Sequence, residues 1–165
     1  MGNPQKPEAR HHQVERVGSF DASFIPAVKD FARVDARFRL PDGIWEKLGG
    51  YAEVSFAVFK LREGENKIHP MAFRFHVRNA RTLFFPTVHI HDGKVHKTAE
   101  FDHSLYCQVP EAGLHSLLDW DESTRPAETF AKIAKSEGLL VPDLHVRRRK
   151  IVGRQKNEDT ALAIG

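Results

Sequence analysis

The sequence predicts a mainly β protein, with an α+β class as the alternative. We expect an antiparallel β-sandwich or strongly curved sheet with one clear helix, over about 126–137, packed on it. Three observations lead to this prediction. Apolar and polar residues alternate in several short stretches, the 12 phenylalanines favour strands, and an Asp-Gly pair near the middle of the chain is a strong hairpin signal. The pattern predicts about six or seven strands.

Composition narrows the class of protein. The 165 residues are enough for one domain, and a hydrophobic fraction of 41% with a charged fraction of 28% is typical of a folded soluble protein. The single cysteine, Cys107, has no partner within the chain for a disulfide, which fits a reducing compartment. No apolar run reaches the roughly 20 residues that span a bilayer. We therefore expect a cytoplasmic protein without a membrane partner.

The domain organisation follows from where the patterns begin and end. The first residues combine prolines, a glycine and charges without periodicity, which predicts a flexible N-terminal tail over 1–13. A single β-rich globular domain is expected over 14–156. The final stretch, NEDTALAIG, predicts a weakly ordered C-terminal tail over 157–165.

The first third of the domain mixes strands with short helical turns. Val14–Ile25 has a strand-like pattern that ends at a proline. Ala27–Asp35 predicts a short helix or turn with an apolar side, and a second short helix is expected after Pro41. Glu53–Leu61 is apolar on both parities, which predicts a central strand covered on both faces.

Met71–Arg78 shows the clearest alternation in the chain. Its apolar parity is Met71, Phe73, Phe75 and Val77. Its polar parity is Ala72, Arg74, His76 and Arg78. This period of two predicts a strand with one face in the core and one in water, and His76 is interpreted as a surface residue.

The stretch Thr87–Thr98, TVHIHDGKVHKT, predicts a β-hairpin. With Asp92 and Gly93 as the two residues of a type I′ turn, directly opposed residues share a face. His89 then faces His96, and His91 faces Lys94. All three histidines lie on the polar side of the predicted hairpin.

This grouping makes His89, His91 and His96 a candidate metal site, because imidazoles across a strand pair are close enough to converge on one ion. The local pattern resembles the three-histidine ligand set of carbonic anhydrases at these positions only, and it carries no activity over. Zinc or iron would be the metal. Two features disfavour the site: Lys94 shares the same face, and no carboxylate on the hairpin can orient an imidazole. We therefore expect no cofactor and assign no catalytic residue.

The last third adds one more strand, the helix and a basic run. FDHSLYCQV predicts a strand in which Cys107 is a small core residue. A proline at 126, an apolar stripe and Gly138 predict the helix over about 126–137. The bases of the run 147–150 alternate between faces on a strand, so they predict an exposed edge strand protected by charge.

Three functions remain in order of preference. The first is a non-enzymatic binding or interaction module with an unknown protein or small-molecule partner, recognised through the polar hairpin face and Tyr106, Trp120 and Phe85. The alternative is a small mononuclear metalloenzyme with the three-histidine site on the 87–98 hairpin. Nucleic-acid binding through the basic run 147–150 is less favoured, because bases that alternate between the faces of a strand cannot all point at one phosphate backbone. The formal net charge of +3 neither demands nor excludes a polyanionic partner. The sequence predicts no oligomeric state.

Overall fold

The structure, a computed structural model, describes residues 13–52, 54–66, 68–73 and 75–164. Within these residues the main regular secondary structure is strands, arranged in three antiparallel sheets, with short 3-10 turns between them. The strands are β1 (Glu15–Val17), β2 (Phe20–Ile25), β3 (Phe56–Leu61), β4 (Thr82–Phe85), β5 (Thr98–Cys107), β6 (Asp121–Glu122), β7 (Arg147–Lys156) and β8 (Thr160–Ala163). The predicted antiparallel, β-rich class is confirmed.

The chain divides into two compact units. Unit 1 is Met1–Met71 with Asp92–Val95, and unit 2 is Ala72–His91 with His96–Gly165. The predicted single domain over 14–156 stays a prediction. The predicted N-terminal tail, 1–13, lies outside the described residues except for its last residue. No helix in the described part of the chain is long and apolar enough to cross a bilayer.

Unit 1 contains a three-stranded sheet in the order β1-β2-β3. β2 and β3 pair from Phe20↔Leu61 to Ile25↔Phe56. The sequence predicted that β3 is a central strand, but it lies at the edge of this sheet. The predicted turn over 27–35 is confirmed as a 3-10 turn, Val28–Arg33. Its apolar side joins the core of the unit, which consists of Ile25, Phe31, Val34 and Phe38.

Unit 2 contains a two-stranded sheet, β4-β8, and a three-stranded sheet in the order β5-β7-β6. β5 and β7 form a ten-residue ladder from Thr98↔Lys156 to Cys107↔Arg147. One apolar core has Leu105, Val109, Leu117 and Trp120 at its centre. Strand residues from both sheets pack against them: Leu83, Phe85, Ile151 and Leu162. The two sheets thus bury apolar side chains in a common core, as antiparallel sheets with one apolar face do.

The segment predicted as a helix over about 126–137 is helical only as two 3-10 turns, Ala127–Thr129 and Ile133–Lys135. Phe130 belongs to the predicted apolar stripe, but its side chain is 60% exposed. The stripe therefore does not anchor a helix on the core. A helix of this length depends on burying an apolar face. The backbone N–H of Glu128 instead donates to the carbonyl of Pro142 at 2.9 Å.

The predicted strand Met71–Arg78 is not a strand in the structure: its described residues, 71–73 and 75–78, belong to no ladder. A strand needs a neighbouring backbone to satisfy its N–H and C=O groups. The apolar parity that was expected to face the core is exposed instead, with Phe75 70% and Val77 55% accessible.

The end of the chain differs from the sequence prediction in two respects. β7 was expected at an exposed edge, but at Arg147 and Arg148 it lies between β5 and β6; from Arg149 onward the ladders give it β5 as a neighbour on one side. The segment 157–165, predicted to be a weakly ordered tail, holds β8, which pairs with β4 from Thr82↔Ala163 to Phe85↔Thr160.

Candidate functional site

The stretch predicted as the 87–98 hairpin is a loop, residues 86–97, which we call the histidine loop. Of the predicted hairpin only Thr98 belongs to a ladder, and the strands on either side of the loop pair elsewhere, β4 with β8 and β5 with β7. A type I′ turn needs a positive φ at two residues, but only Gly93 has one, at 71°. The Asp92 carboxylate accepts a hydrogen bond from the backbone N–H of Lys94 at 3.1 Å, which makes a local side-chain turn.

Asn157 holds both ends of the central part of this loop. Its Oδ1 accepts a hydrogen bond from the backbone N–H of His89 at 2.8 Å, and its Nδ2 donates to the carbonyl of His89 at 2.9 Å. The same Nδ2 donates to the carbonyl of His96 at 3.1 Å. One amide side chain therefore pairs with the His89 backbone as a neighbouring strand would.

Asp159 and Thr87 fix the start of the loop. The Asp159 carboxylate accepts hydrogen bonds from the backbone N–H groups of Thr87 at 2.9 Å and Val88 at 3.1 Å. The hydroxyl of Thr87, a residue only 2% exposed, donates to the carbonyl of Glu158 at 2.8 Å. Sequence reasoning missed these anchors, because the segment 157–159 has no periodicity that would indicate a structural role.

The side chain of His89 packs against His103, which β5 carries on the same face as Phe101 and Leu105. Nε2 of His89 lies 2.9 Å from Nε2 of His103, with ring centroids 4.6 Å apart and ring planes at 72°. Phe101 stacks on the His89 ring at 4.5 Å and 22°. The His91 ring lies 5.0 Å from that of His89. We call these four residues the histidine cluster.

The cluster keeps His89 uncharged. Burial lowers the pKa of His89 below its ordinary value of 6.5, and the neighbouring His103 and His91 lower it further, against an opposing effect of the Glu100 backbone. Nδ1 of His89 is buried without a hydrogen-bond partner. At neutral pH the His89 imidazole is therefore neutral and carries a lone pair, the form that accepts a proton or binds a metal.

This lowered pKa predicts a pH dependence of stability. The unfolded chain takes up a proton at His89 near pH 6.5, above the folded-state value. The free energy of unfolding should therefore fall as the pH is lowered through this value toward the folded-state pKa. Urea denaturation between about pH 8 and pH 5 should show a smaller slope for His89→Asn than for the wild type. His115→Asn, at an exposed site, is the control. An unchanged slope in His89→Asn would contradict the prediction.

The predicted metal ligands are only partly brought together. The rings of His89 and His91 are neighbours. His96 is exposed, and no strand pairing places it opposite His89. Among residues 13–52, 54–66, 68–73 and 75–164, no three histidine, cysteine, aspartate or glutamate side chains form a group that could hold a metal ion. The ring nitrogen of His103, which is not one of the three predicted ligands, lies 2.9 Å from that of His89. Metal binding by His89, His91 and His96 stays a prediction.

Acidic residues neutralise most of the basic run 147–150. Arg147 Nη2 lies 2.9 Å from the Glu122 carboxylate, Arg148 Nη2 lies 2.7 Å from that of Asp121, and Arg149 Nη1 lies 3.7 Å from that of Asp119. These acids come from the segment 119–122, which β6 places beside the start of β7. The first three bases of the run are therefore engaged within the protein.

The aromatic residues proposed for partner recognition divide between core and surface. Trp120 is 4% exposed, and its ring lies 5.7 Å from that of Phe85 in the core of unit 2. Tyr106 is 58% exposed. The expected joint recognition surface of Tyr106, Trp120 and Phe85 is therefore wrong for Trp120, which is enclosed in the core.

Cys107 is half-buried and packs against the core of unit 2, in agreement with its predicted role. Burial raises the pKa of its thiol, against an opposing effect of Arg147. The reactive form of cysteine is the thiolate, so a raised pKa disfavours a nucleophilic role.

No family model, no curated protein and no solved structure matches this chain.

Proposed function

We propose that this protein is a non-enzymatic interaction module that binds an extended segment of a partner protein along residues 72–78, which we call the docking segment. The observation that carries the proposal is the exposure of its apolar parity. Phe73 is 53%, Phe75 70% and Val77 55% exposed. The rings of Phe73 and Phe75 lie 5.7 Å apart, on the same side of the segment. Contiguous exposed apolar side chains of this kind mark protein interaction sites.

The sequence pattern of the docking segment favours pairing with a strand. Residues that alternate with a period of two fit a pleated, half-buried strand. The described residues of the segment belong to no strand within the chain. An extended peptide that aligns with them would supply backbone hydrogen bonds and cover the apolar parity, as in recognition by strand addition.

The charges of the segment indicate the chemistry of the partner. Arg74, His76 and Arg78 share the polar parity in the sequence, and the described His76 and Arg78 are exposed. Opposite charges on directly facing residues stabilise a strand pair, and like charges destabilise it. A second copy of this segment would bring bases against bases. The complementary partner is therefore a segment in which acidic and apolar residues alternate.

The two other functions have less support. Nucleic-acid binding through 147–150 requires free bases, but Arg147, Arg148 and Arg149 are paired with acids. A mononuclear metalloenzyme requires at least three converging ligands, and the described residues supply no such group.

A synthetic peptide tests the proposal. We expect a fluorescein-labelled peptide in which glutamate alternates with valine and phenylalanine to bind the wild type, measured by fluorescence anisotropy. Phe75→Ser/Val77→Ser should weaken binding by at least about tenfold, because it removes the apolar contacts. Phe130→Ser is the matched control, since Phe130 is 60% exposed outside the docking segment.

Two further peptides examine charge and backbone pairing. The same peptide with lysine in place of glutamate should not bind, and one with prolines at alternate positions should lose affinity, because proline has no N–H to donate. Equal binding to wild type and Phe75→Ser/Val77→Ser would overturn the proposal. A wild-type dimer in sedimentation that this double variant abolishes would also overturn it, because the segment would then bind a second copy.

A further inference from the structure

We propose that Nε2 of His89 and Nε2 of His103 together chelate a divalent transition metal ion, with Cu²⁺ as the preferred ion. This two-histidine site differs from the set His89, His91 and His96 expected from the sequence. It does not depend on the docking segment. It is supported by the positions of two rings, one on β5 and one on the histidine loop, whose Nε2 atoms lie 2.9 Å apart.

The distances fit two nitrogen atoms on one metal ion. Two metal–nitrogen bonds of about 2.05 Å at a right angle place the nitrogens about 2.9 Å apart and the ring centroids about 4.5 Å apart. The observed values are 2.9 Å between the Nε2 atoms and 4.6 Å between the centroids. A straight N–H···N hydrogen bond of the same length would hold the centroids about 5.2 Å apart. The observed centroid distance is therefore shorter than that of a straight hydrogen bond and close to that of two ligands at a right angle.

Affinity selects among metals, because tetragonal coordination by nitrogen ligands is typical of Cu²⁺. Cu²⁺ is also the ion that such ligands bind most tightly among the divalent first-row metals. Water molecules would complete the coordination.

The protein holds His89 ready for this role. Asn157 pairs with the backbone of His89 through two hydrogen bonds, at 2.8 Å and 2.9 Å, and Phe101 stacks on its ring at 4.5 Å. Of the pair, one ring carries a proton on Nε2 when no metal is bound. That proton moves to Nδ1 of the same ring on chelation, so the ring changes tautomer and stays neutral. Imidazole ligands fixed by their surroundings bind metals more tightly than free ones.

Titration with Cu²⁺ tests the site. We expect one Cu²⁺ per chain, with nitrogen hyperfine structure from two imidazoles in the electron paramagnetic resonance spectrum. His89→Ala and His103→Ala should each weaken binding at least about tenfold. His115→Ala, at an exposed histidine, and His11→Ala/His12→Ala, which removes the adjacent pair near the N-terminus, should leave it unchanged. Binding that survives His89→Ala or His103→Ala, or that His11→Ala/His12→Ala abolishes, would overturn the proposal.

A measurement on the wild type covers the case in which a variant fails to fold. Zn²⁺ is diamagnetic and binds the same ligand type, so it reports on the ring nitrogens by nuclear magnetic resonance. The Nε2 resonances of His89 and His103 should shift together on addition of Zn²⁺, while those of His115 stay in place. If neither resonance moves, or only one does, the two rings form an ordinary hydrogen-bonded pair and the proposal fails.

Discussion

Leu117→Ala is expected to lower the free energy of unfolding of unit 2 by about 2–5 kcal/mol. Leu117 is 0% exposed and lies in the core with Leu105, Val109 and Trp120. Truncating a leucine there removes buried apolar surface and leaves a cavity that the surrounding strands fill only in part. The neighbouring Leu118 is 84% exposed, so Leu118→Ala should change the stability by no more than about 0.5 kcal/mol.

The two leucines form a matched pair, because they are adjacent and the substitution is the same. Equilibrium urea denaturation followed by tryptophan fluorescence, to which Trp120 of the same core contributes, measures both. Similar losses of stability in Leu117→Ala and Leu118→Ala would contradict the burial of Leu117 in the core of unit 2.

Gly18→Ala is expected to cost about 2–4 kcal/mol of stability in unit 1. Gly18 has a φ of +57°, a conformation that alanine adopts at a cost of about 1–2 kcal/mol. A Cβ at this position would also lie 1.9 Å from Nε2 of His69. The ring would have to move, and it would then lose the hydrogen bond that the backbone N–H of Ser19 donates to this same Nε2 at 3.0 Å.

Gly64 separates the effect of the backbone from that of the clash. Its φ is +81°, and nothing lies within 4 Å of an added Cβ, so Gly64→Ala should cost only about 1–2 kcal/mol. Combined with His69→Ala, Gly18→Ala should cost less than the sum of the two single changes, because the clash is then absent. Thermal unfolding of the wild type, Gly18→Ala, His69→Ala and the double variant measures this coupling. Equal losses in Gly18→Ala and Gly64→Ala would mean that His69 does not pack over Gly18.

The local patterns predicted the class of fold and several individual elements. The alternation around Leu105 and Cys107 predicted a strand, and β5 is that strand. The turn over 27–35 places Phe31 in the core as its spacing indicated. These elements were predictable because a period of two or of three to four residues reflects which side of a segment is buried.

The predicted helix over about 126–137 does not form, and the reason lies outside the segment. Its stripe required an apolar surface against Phe130, and that residue is exposed. Periodicity reports that a segment could bury one face, but a neighbour must exist to receive it.

The candidate site also depends on contacts that a local pattern does not contain, here between residues far apart in the sequence. The sequence drew attention to His89, His91 and His96 through an Asp-Gly turn whose hairpin the structure does not form. The pairing of β5 with β7 brings His103 to His89 instead, and Asn157 holds the loop in place. Neither contact leaves a sign in the local pattern, because each joins residues from separate stretches of the chain.

The sequence by itself determined that this chain forms antiparallel strands, which sides of those strands are apolar, and that histidines accumulate next to a glycine turn. Only the tertiary structure decided which strands pair, and so which histidines meet. The physical reason is that a local hairpin competes with long ladders that bury a common core. Here β4 with β8 and β5 with β7 bury Leu83, Leu105, Ile151 and Leu162 together, whereas the predicted hairpin would have had to bury its apolar face alone.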